Sequence, residues 1–372
     1  MKHTKPLIWI FTALGIIALT LIPFKPILAT YHFANFEGRP PIHTLSAPTD
    51  TPKGLSPSQI KKAYNLPISG GQGTIALIGA YDDLTIEKDL NIFSKQFNLP
   101  ACTSANGCFT KHLMAKTNSD SNWALETSLD VEWAHAIAPQ AKILLVEAKT
   151  PSGQNLINAI DYARKHAGVV AISMSFGGAE FPEETSLDTY FKTANKKITF
   201  FASSGDNGAG ASWPAVSPYV VAVGGTYLNF SNNTIKETAW DGSGGGISAY
   251  ESEPNYQINY NLSRAKNMRA IPDVAYNADP HSGFSVYKSA GAAKGWYVVG
   301  GTSAGAPQWA AIKALSLSAD NNKFYADKAG AKNNNYFRDI TSGANGNCGY
   351  YCQARKHYDY VTGLGSPLTS NF

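Results

Sequence analysis

Charge is scarce in this 372-residue sequence: Asp, Glu, Lys and Arg supply 16% of it, and a formal balance of +4 is spread along the chain. The lack of a basic stripe argues against nucleic acid as a partner. Carboxylates number only 27, so protonating them would remove little electrostatic stabilisation, a weak sign of tolerance to acid. Cysteine is rarer, four residues without Cys-x-x-Cys spacing, which speaks against a four-cysteine metal site. The run Gly242-Ser243-Gly244-Gly245-Gly246 lacks the lysine of a phosphate loop and the spacing of a dinucleotide fingerprint, so nucleotide binding is not expected. The uncharged run from Leu7 to Ile22 is short for a transmembrane helix. Of eight histidines, none stands in a His-Gly-Thr-like turn.

What is present suffices for one large core. At 44% hydrophobic, the chain can fold as a single α/β domain of about 300 residues. The opening Met-Lys-His-Thr-Lys and the apolar run after it match an export signal with Ala29 near the cleavage point, an uncleaved anchor being the alternative. Residues 1–29 are therefore expected to direct the bulk of the chain out of the cytoplasm, secreted or membrane-anchored. Pro, Thr and Ser crowd the stretch from Tyr31 to Pro57, so residues 30–54 read as an extended lead-in rather than a packed unit. Cys102 with Cys108 and Cys348 with Cys352 form two short-range pairs, which as local disulfides suit an oxidising compartment.

From Leu55 onward apolar runs alternate with helical spacing. Strands are expected over 73–80, 142–148, 169–174, 198–202 and 219–226, and helices from Ile86 to Phe97, Asn155 to His166 and Glu184 to Lys196, with a short capped helix after Ser56. Apolar strands separated by helices specify a mostly parallel sheet covered on both faces. Between Trp240 and Gly300 the pattern loosens into glycine, serine and aromatic residues, the mark of long functional loops.

Three segments carry candidate chemistry. Gly301-Thr302-Ser303-Ala304-Gly305-Ala306-Pro307 sets a serine at the mouth of a helix, and a serine nucleophile requires a base and a group to orient that base. In the helix spanning Asn122 to Pro139, Leu129, Trp133, Ala136 and Ile137 form an apolar stripe, with Glu126 and Asp130 four apart on a neighbouring face. Such carboxyls either share a proton or are two solvated acids. Asp206, in Ser204-Gly205-Asp206 after a strand, is either an Asx-turn residue or a protonated acid able to donate to an oxyanion.

Together these segments resemble the sedolisin family, serine-carboxyl peptidases that share the subtilisin fold. The resemblance rests on Glu126-x-x-Leu129-Asp130-Val131-Glu132-Trp133-Ala134, Ser204-Gly205-Asp206 and Gly301-Thr302-Ser303-x-x-x-Pro307 in the family order, and on Lys61-Lys62-Ala63-Tyr64-Asn65-Leu66-Pro67 near the start. It covers Leu55 to the C-terminus and implies a peptidase domain over 55–372 with a three-layer subtilisin-like fold. It further implies Ser303 as nucleophile, Glu126 as general base and then acid, Asp130 as its orienting partner and Asp206 as oxyanion donor. Protein or peptide substrates, acid pH and a monomer follow from the same likeness, whether cleavage is endopeptidic or tripeptidyl. Ser175 and Gly177, in Ser173-Met174-Ser175-Phe176-Gly177-Gly178, and Gly244 and Gly245 would line the substrate groove.

One calcium ion is implied near the C-terminus, with carboxylates from Asp339 and Asp359 and carbonyls from Ile340, Arg355 and His357. The family commonly has glycine at the last two carbonyl positions, and a protonated His357 would weaken affinity. A disulfide-stapled loop without metal is the alternative. Asp82 and Asp83, where a subtilisin keeps its triad aspartate, read as loop carboxylates, and His135 as a packing residue. Family members usually carry a long propeptide, and the stretch before Leu55 is too short for one, so the resemblance implies a member without it. Two other readings stand beside this one: a neutral subtilisin-type hydrolase with an unrecognised histidine, and an inactive secreted binding protein on the same scaffold.

Overall fold

Apolar runs bounded by turn residues and separated by helix-forming stretches pair as parallel strands, because each helix carries the chain back across a sheet face. The computed structural model describes Met1 and residues 32–193, 198–231, 234–262, 264–326 and 336–368. In chain order its first elements are His43–Thr44 (β1), Pro57–Ala63 (α1), Thr74–Ala80 (β2), Ile86–Gln96 (α2), Phe109–Leu113 (β3), Ser121–Ile137 (α3), Lys142–Ala148 (β4), Gly153–Lys165 (α4) and Val169–Met174 (β5). There follow Glu184–Leu187 (α5), Thr199–Ser203 (β6), Val220–Ser231 (β7), Thr234–Ala239 (β8), Gly246–Ser252 (β9), Asn255–Tyr260 (α6), Met268–Ile271 (β10) and Val274–Asn277 (β11). The last are Phe284–Lys288 (β12), Gly295–Gly300 (β13), Gly305–Ser316 (α7), Asn321–Ala326 (α8), Phe337–Arg338 (β14) and Ser366–Pro367 (β15).

The main sheet has 8 strands in the order β11-β7-β6-β5-β2-β4-β3, with β8 pairing β7. All pairs are parallel except β7 with β8. The α/β, mostly parallel architecture expected from the sequence is therefore the one observed. Strand order reverses between β2 and β5, and ligands of such sheets gather beyond the C-terminal strand ends at that switch. One apolar cluster joins α3 and α7 through Leu129, Trp133, Trp309 and Ile312. A second packs α4 on the opposite face through Leu156, Ile157 and Ile160 against Ile78, Val146 and Ile172.

Three stretches differ from the sequence reading. The Pro- and Thr-rich run before Leu55 belongs to the compact unit Tyr31–Phe372 and is not a free tether. Phe36 is buried, its ring 4.8 Å from Trp213 and 5.8 Å from Phe181, and β1 pairs with β13. The expected helix from Glu184 to Lys196 ends at Leu187 and passes into a 3-10 turn, Asp188–Tyr190. There Asp188 accepts a 2.6 Å hydrogen bond from Ser217 Oγ and Phe191 turns inward against Phe200, which anchors the chain away from helical continuation; residues 194–197 lie outside those described. The stretch from Trp240 to Gly300, expected as loops, holds the antiparallel pairs β9 with β10 and β12 with β13, and the sheet strand β11. Its glycines and serines hide the two-residue alternation by which strands are recognised. No helix among the described residues is long and apolar enough to cross a membrane. The run Leu7 to Ile22 lies outside them.

The β10–β11 corner rests on a fully buried ion pair. Arg269 donates to both oxygens of Asp273, at 2.7 and 2.5 Å. Asp273 also accepts from Ala222 N at 2.8 Å and Tyr325 OH at 2.9 Å. Removing one buried partner leaves the other charge uncompensated. Asp273→Ala is expected to cost about 3–5 kcal/mol in urea unfolding, while replacing Arg269 and Asp273 together by apolar residues of similar volume should cost far less.

Candidate active site

Helix α3 begins at Asp120, whose side chain accepts from the backbone N–H groups of Asn122 and Trp123, both at 3.0 Å. Every residue from Trp123 to Ile137 is buried, so the helix is enclosed on all sides rather than packed by one stripe. Glu126 and Asp130, expected on a neighbouring face, are thereby 1% and 2% exposed. This decides between the two readings of the pair, since they are not solvated acids. Burial pushes the Glu126 carboxyl well above its usual range, and the Asp130 charge beside it adds to the rise. Burial also raises Asp130, against a lowering hydrogen bond from Ser175. Two carboxyls that cannot both ionise cheaply hold a proton between them.

Ser303 lies in a 3-10 turn, Thr302–Ala304, that opens into α7. It faces Glu126, whose ionisation it influences, yet neither Glu126 oxygen nor Ser303 Oγ closes an aligned hydrogen bond. Catalytic hydrogen bonds are commonly loose before substrate binds. Among the described residues no histidine bonds to Ser303 Oγ. Ser175, after β5, donates to Asp130 Oδ1 at 2.6 Å and lies 3.3 Å from the Ser303 carbonyl oxygen.

Asp206 follows β6 and enters the same space. Its Oδ1 accepts from Thr302 N at 2.8 Å and Thr302 Oγ1 at 2.7 Å. Its Oδ2 stands 3.1 Å from His43 Nε2, close enough for an ion pair but without hydrogen-bond alignment. Burial raises the Asp206 carboxyl, opposed by His43 and Thr302. Gly301 takes φ 121°, and a Cβ there would collide with the Pro41 carbonyl oxygen and come within 2.7 Å of Asp206 Oδ2. Only glycine permits that approach.

A cleft of about 810 Å³ runs beside this group, lined by Glu37 and Arg39–His43 on one side and by Gly177–Ala179, Ser204–Ser212 and Gly244 on the others. Of the four residues expected to line the substrate groove, Gly177 exposes its backbone to an extended strand and exchanges two 3.1 Å hydrogen bonds with Arg39. Gly244 lines the cleft, and a Cβ on it would strike the Ser204 carbonyl. Ser175 is a correction: it is 1% exposed and serves Asp130 from behind. Gly245 is another, since it pairs with Gly210 and presses against the Tyr360 carbonyl, away from the cleft. The sequence carried no signal for His43 or Thr302 at Asp206, because both contacts join segments distant in the chain.

At the C-terminal loop, Asp359 Oδ1 accepts from Val361 N and Thr362 N, both at 2.8 Å, and its Oδ2 from Arg355 N at 2.9 Å. Burial raises its pKa to about 6. Asp339 Oδ2 accepts from His357 N at 2.9 Å, while its buried Oδ1 has no partner. The Arg355 guanidinium turns onto the Tyr350 ring at 4.6 Å. His357 takes φ 69°, a conformation natural to glycine. Both cysteine pairs are disulfides. Among the described residues the one metal-like cluster, Cys102, Cys108 and His135, contains a disulfide and so offers no thiolates. His135 is buried, its Nε2 2.8 Å from Pro100 O, as a packing residue would be. Asp82 and Asp83 join a separate network in which Lys111 Nζ lies 2.6 Å from Asp82 and 2.9 Å from Glu147.

Comparison with known proteins follows the same lines. A family model described as the subtilase family matches residues 112–340. The chain is similar to kumamolisin of Bacillus sp. (strain MN-32), 32% identical over 85% of this chain and 62% of that protein. It is 26% identical to sedolisin of Pseudomonas sp. (strain 101), over 95% of this chain and 66% of that protein. It thus spans just under two thirds of the length of these curated relatives. A solved structure of Pseudomonas sedolisin, a serine-carboxyl proteinase complexed with two molecules of pseudo-iodotyrostatin, superposes with TM-score 0.73. Identity is 26%, over 85% of this chain and 96% of that chain.

Beyond the groove wall lie two more buried acids, Glu184 and Glu251, and the half-buried Glu180, none in an ion pair among the described residues. Burial first, then neighbouring carboxylates, pushes Glu184 to about 9 and Glu251 to about 8, from an ordinary 4.5. Folded values above unfolded ones mean that the stability these neutral acids contribute is whole below the unfolded value and is lost as pH rises through the folded ones. The melting temperature should accordingly fall from mildly acidic to alkaline pH, and Glu184→Gln should flatten that fall.

Proposed function

Because the chain belongs to the subtilase family, and within it to the sedolisins, we propose that it is a secreted serine-carboxyl peptidase that cuts peptide bonds in acid. The observation that carries this reading is the buried Glu126–Asp130 pair facing Ser303, where no histidine among the described residues bonds to the hydroxyl. Ser303 Oγ attacks the scissile carbonyl while Glu126, ionised, takes its proton. For the attack the shared proton passes from Glu126, where the Asp130 charge favours it, to Asp130, which Ser175 holds in place and which orients Glu126. The oxyanion accepts from Ser303 N–H and from protonated Asp206. Glu126 then returns its proton to the leaving amine, and water, activated by the same carboxylate, hydrolyses the acyl-enzyme.

Working pH follows from the groups chosen. A carboxylate base functions in acid, where an imidazole would already be protonated. As pH rises through the elevated pKa of Asp206, that carboxyl loses the proton it donates and sets a negative charge against the oxyanion. Activity therefore declines on the alkaline side. The two disulfides suit an oxidising compartment outside the cytoplasm. Substrates are extended peptides or proteins paired to the backbone of Gly177.

The C-terminal loop fits a single calcium ion. Asp339 Oδ1, buried and unpartnered, is a hard oxygen awaiting a cation, and Asp359 with the carbonyls of Ile340, Arg355 and His357 completes an oxygen donor set. When bound, the ion would neutralise the two carboxylates and tie the loop together. Arg355 directs its charge to Tyr350, away from the donors.

Ser303→Ala should lower kcat/KM at acidic pH by about a millionfold, and Asp206→Ala by roughly a hundred- to a thousandfold in kcat, read by mass spectrometry of a cleaved peptide library. Undiminished cleavage by Ser303→Ala would overturn the assignment, and activity rising through neutrality would require a histidine base. Calcium at a hundred times its Kd should stabilise the fold by about 2.7 kcal/mol. A chelator should remove this increment from the wild type and leave Asp339→Ala unmoved in a thermal melt.

A further inference from the structure

Asp206, the oxyanion's proton donor in the peptidase reading, stands in backbone with little stiffness of its own. Gly205 and Gly208 flank it at φ 107° and 71°, and glycine has more conformational freedom to lose than any other residue. The loop leans on a second glycine run. Gly244 N donates to Gly205 O at 2.7 Å, Gly208 N donates to Gly242 O at 2.9 Å, and Gly210 exchanges bonds of 2.8 and 3.0 Å with Gly245. Two pliant ribbons zipped to each other still need a fixed reference, since a misplacement of about 1 Å can cost about a hundredfold in rate.

A hairpin from the C-terminal part of the chain supplies it. Ala344 pairs antiparallel with Gln353, Ala354 N donates to Gly343 O at 3.0 Å, and the Cys348–Cys352 disulfide closes the tip. From this hairpin Asn345, buried at 3% exposure, reaches both ribbons. Its carbonyl oxygen accepts from Ala209 N at 3.0 Å. A Cβ on Gly208 would come within 2.5 Å of the same oxygen, so glycine there permits the approach. Its side-chain Nδ2 donates to Ser243 O at 2.7 Å. Asn345 N in turn donates to Cys352 O at 3.0 Å, so the disulfide stands directly behind the contact. Ser243 is pinned from its own side, its Oγ donating to Val361 O and accepting from Gly225 N, both at 2.8 Å.

We propose that Asn345, backed by the Cys348–Cys352 hairpin, is a positioning residue for Asp206: it fixes the two glycine-rich loops so that the Asp206 carboxyl stays at the oxyanion site and shielded from water. This rests on the peptidase reading, whose donor it places. Asn345 acts only through the loop that carries Asp206. A side-chain amide suits the duty because it keeps its donor at every pH, whereas an ionised carboxylate there would have none to offer the Ser243 carbonyl. Shielding matters as much as placement. Burial is the first cause of the raised Asp206 pKa, opposed by His43 and Thr302, and Glu126 is the acid that faces it from α3. A loosened loop admits water, and hydration favours the charged form.

Asn345→Ala should lower kcat by about ten- to a hundredfold with KM little changed. It should also move the alkaline limb of the pH profile toward acid, because a hydrated Asp206 loses its proton sooner. In Asp206→Ala protein the same substitution should have almost no further effect on kcat, since nothing is left to position. Asn345→Asp should approach wild type at the acid end, where its protonated carboxyl can donate to Ser243 O, and fall to the level of Asn345→Ala as it ionises. Replacing Cys348 and Cys352 together by serine should shift kcat and the alkaline limb in the same direction by a smaller factor. Losses that multiply in the double variant, or an unshifted alkaline limb in folded Asn345→Ala protein, would overturn the proposal. Carbon-13 NMR titration of aspartate carboxyls in Ser303→Ala protein supplies a readout without turnover. The Asp206 resonance, identified by its loss in Asp206→Ala, should titrate at lower pH once Asn345 is replaced by alanine. If the wild type cuts no peptide but this shift appears, the peptidase reading fails and the positioning stands; an unmoved titration in an enzyme that does cut peptides sinks the positioning alone.

Discussion

Two carboxyl groups on an enclosed helix, in no ion pair among the described residues, are the constraint around which this molecule is arranged. Burying one ionised carboxylate is costly, and burying two side by side costs more, so Glu126 and Asp130 are driven to share a proton. Helix α3 makes this unavoidable by surrendering its whole surface to the core, from Trp123 to Ile137. A solvated helix with the same sequence spacing would have left both acids ionised and chemically ordinary.

The sheet brings the other groups to that pair. Ser175 follows β5 and Asp206 follows β6, so parallel strands deliver both to the same end of the sheet. Thr302 and Ser303 arrive there from the opposite direction, at the start of α7, which packs against α3 and the sheet. Glycine then permits the closest approaches. Gly301 leaves room for the Pro41 carbonyl and for Asp206, and Gly244 for the Ser204 carbonyl. Catalysis by preorganised donors depends on such fixed distances. The N-terminal segment pairs its backbone along the same edges, which explains why a stretch rich in proline is ordered there.

Much of the fold was legible because its strands are uniformly apolar and its helices periodic. Thr74–Ala80, Lys142–Ala148 and Val169–Met174 lie within a residue of their expected bounds. Legibility failed where side chains anchored to distant partners decided the path. Phe191 turned a nominal helix inward, and the Gly- and Ser-rich stretch after Trp240 concealed strands whose pairing depends on neighbours far along the chain. At the candidate site the residue types were readable and some of their duties were not. Ser175 and Gly245 sit in segments that suggest a groove wall, but one faces Asp130 and the other Tyr360.

The sequence by itself determined the kinds of chemistry available: a serine at a helix mouth, acids four apart on a helix, an aspartate after a strand, no suitably placed histidine motif. These are local facts, set by covalent order and helical periodicity. Tertiary structure alone decided that the acids are dry, that Ser175 steadies one of them, that His43 meets Asp206 and that the Pro41 carbonyl meets Ser303 N. Desolvation and contact between remote segments exist only once the core has closed, and it is these that turn common residue types into a site.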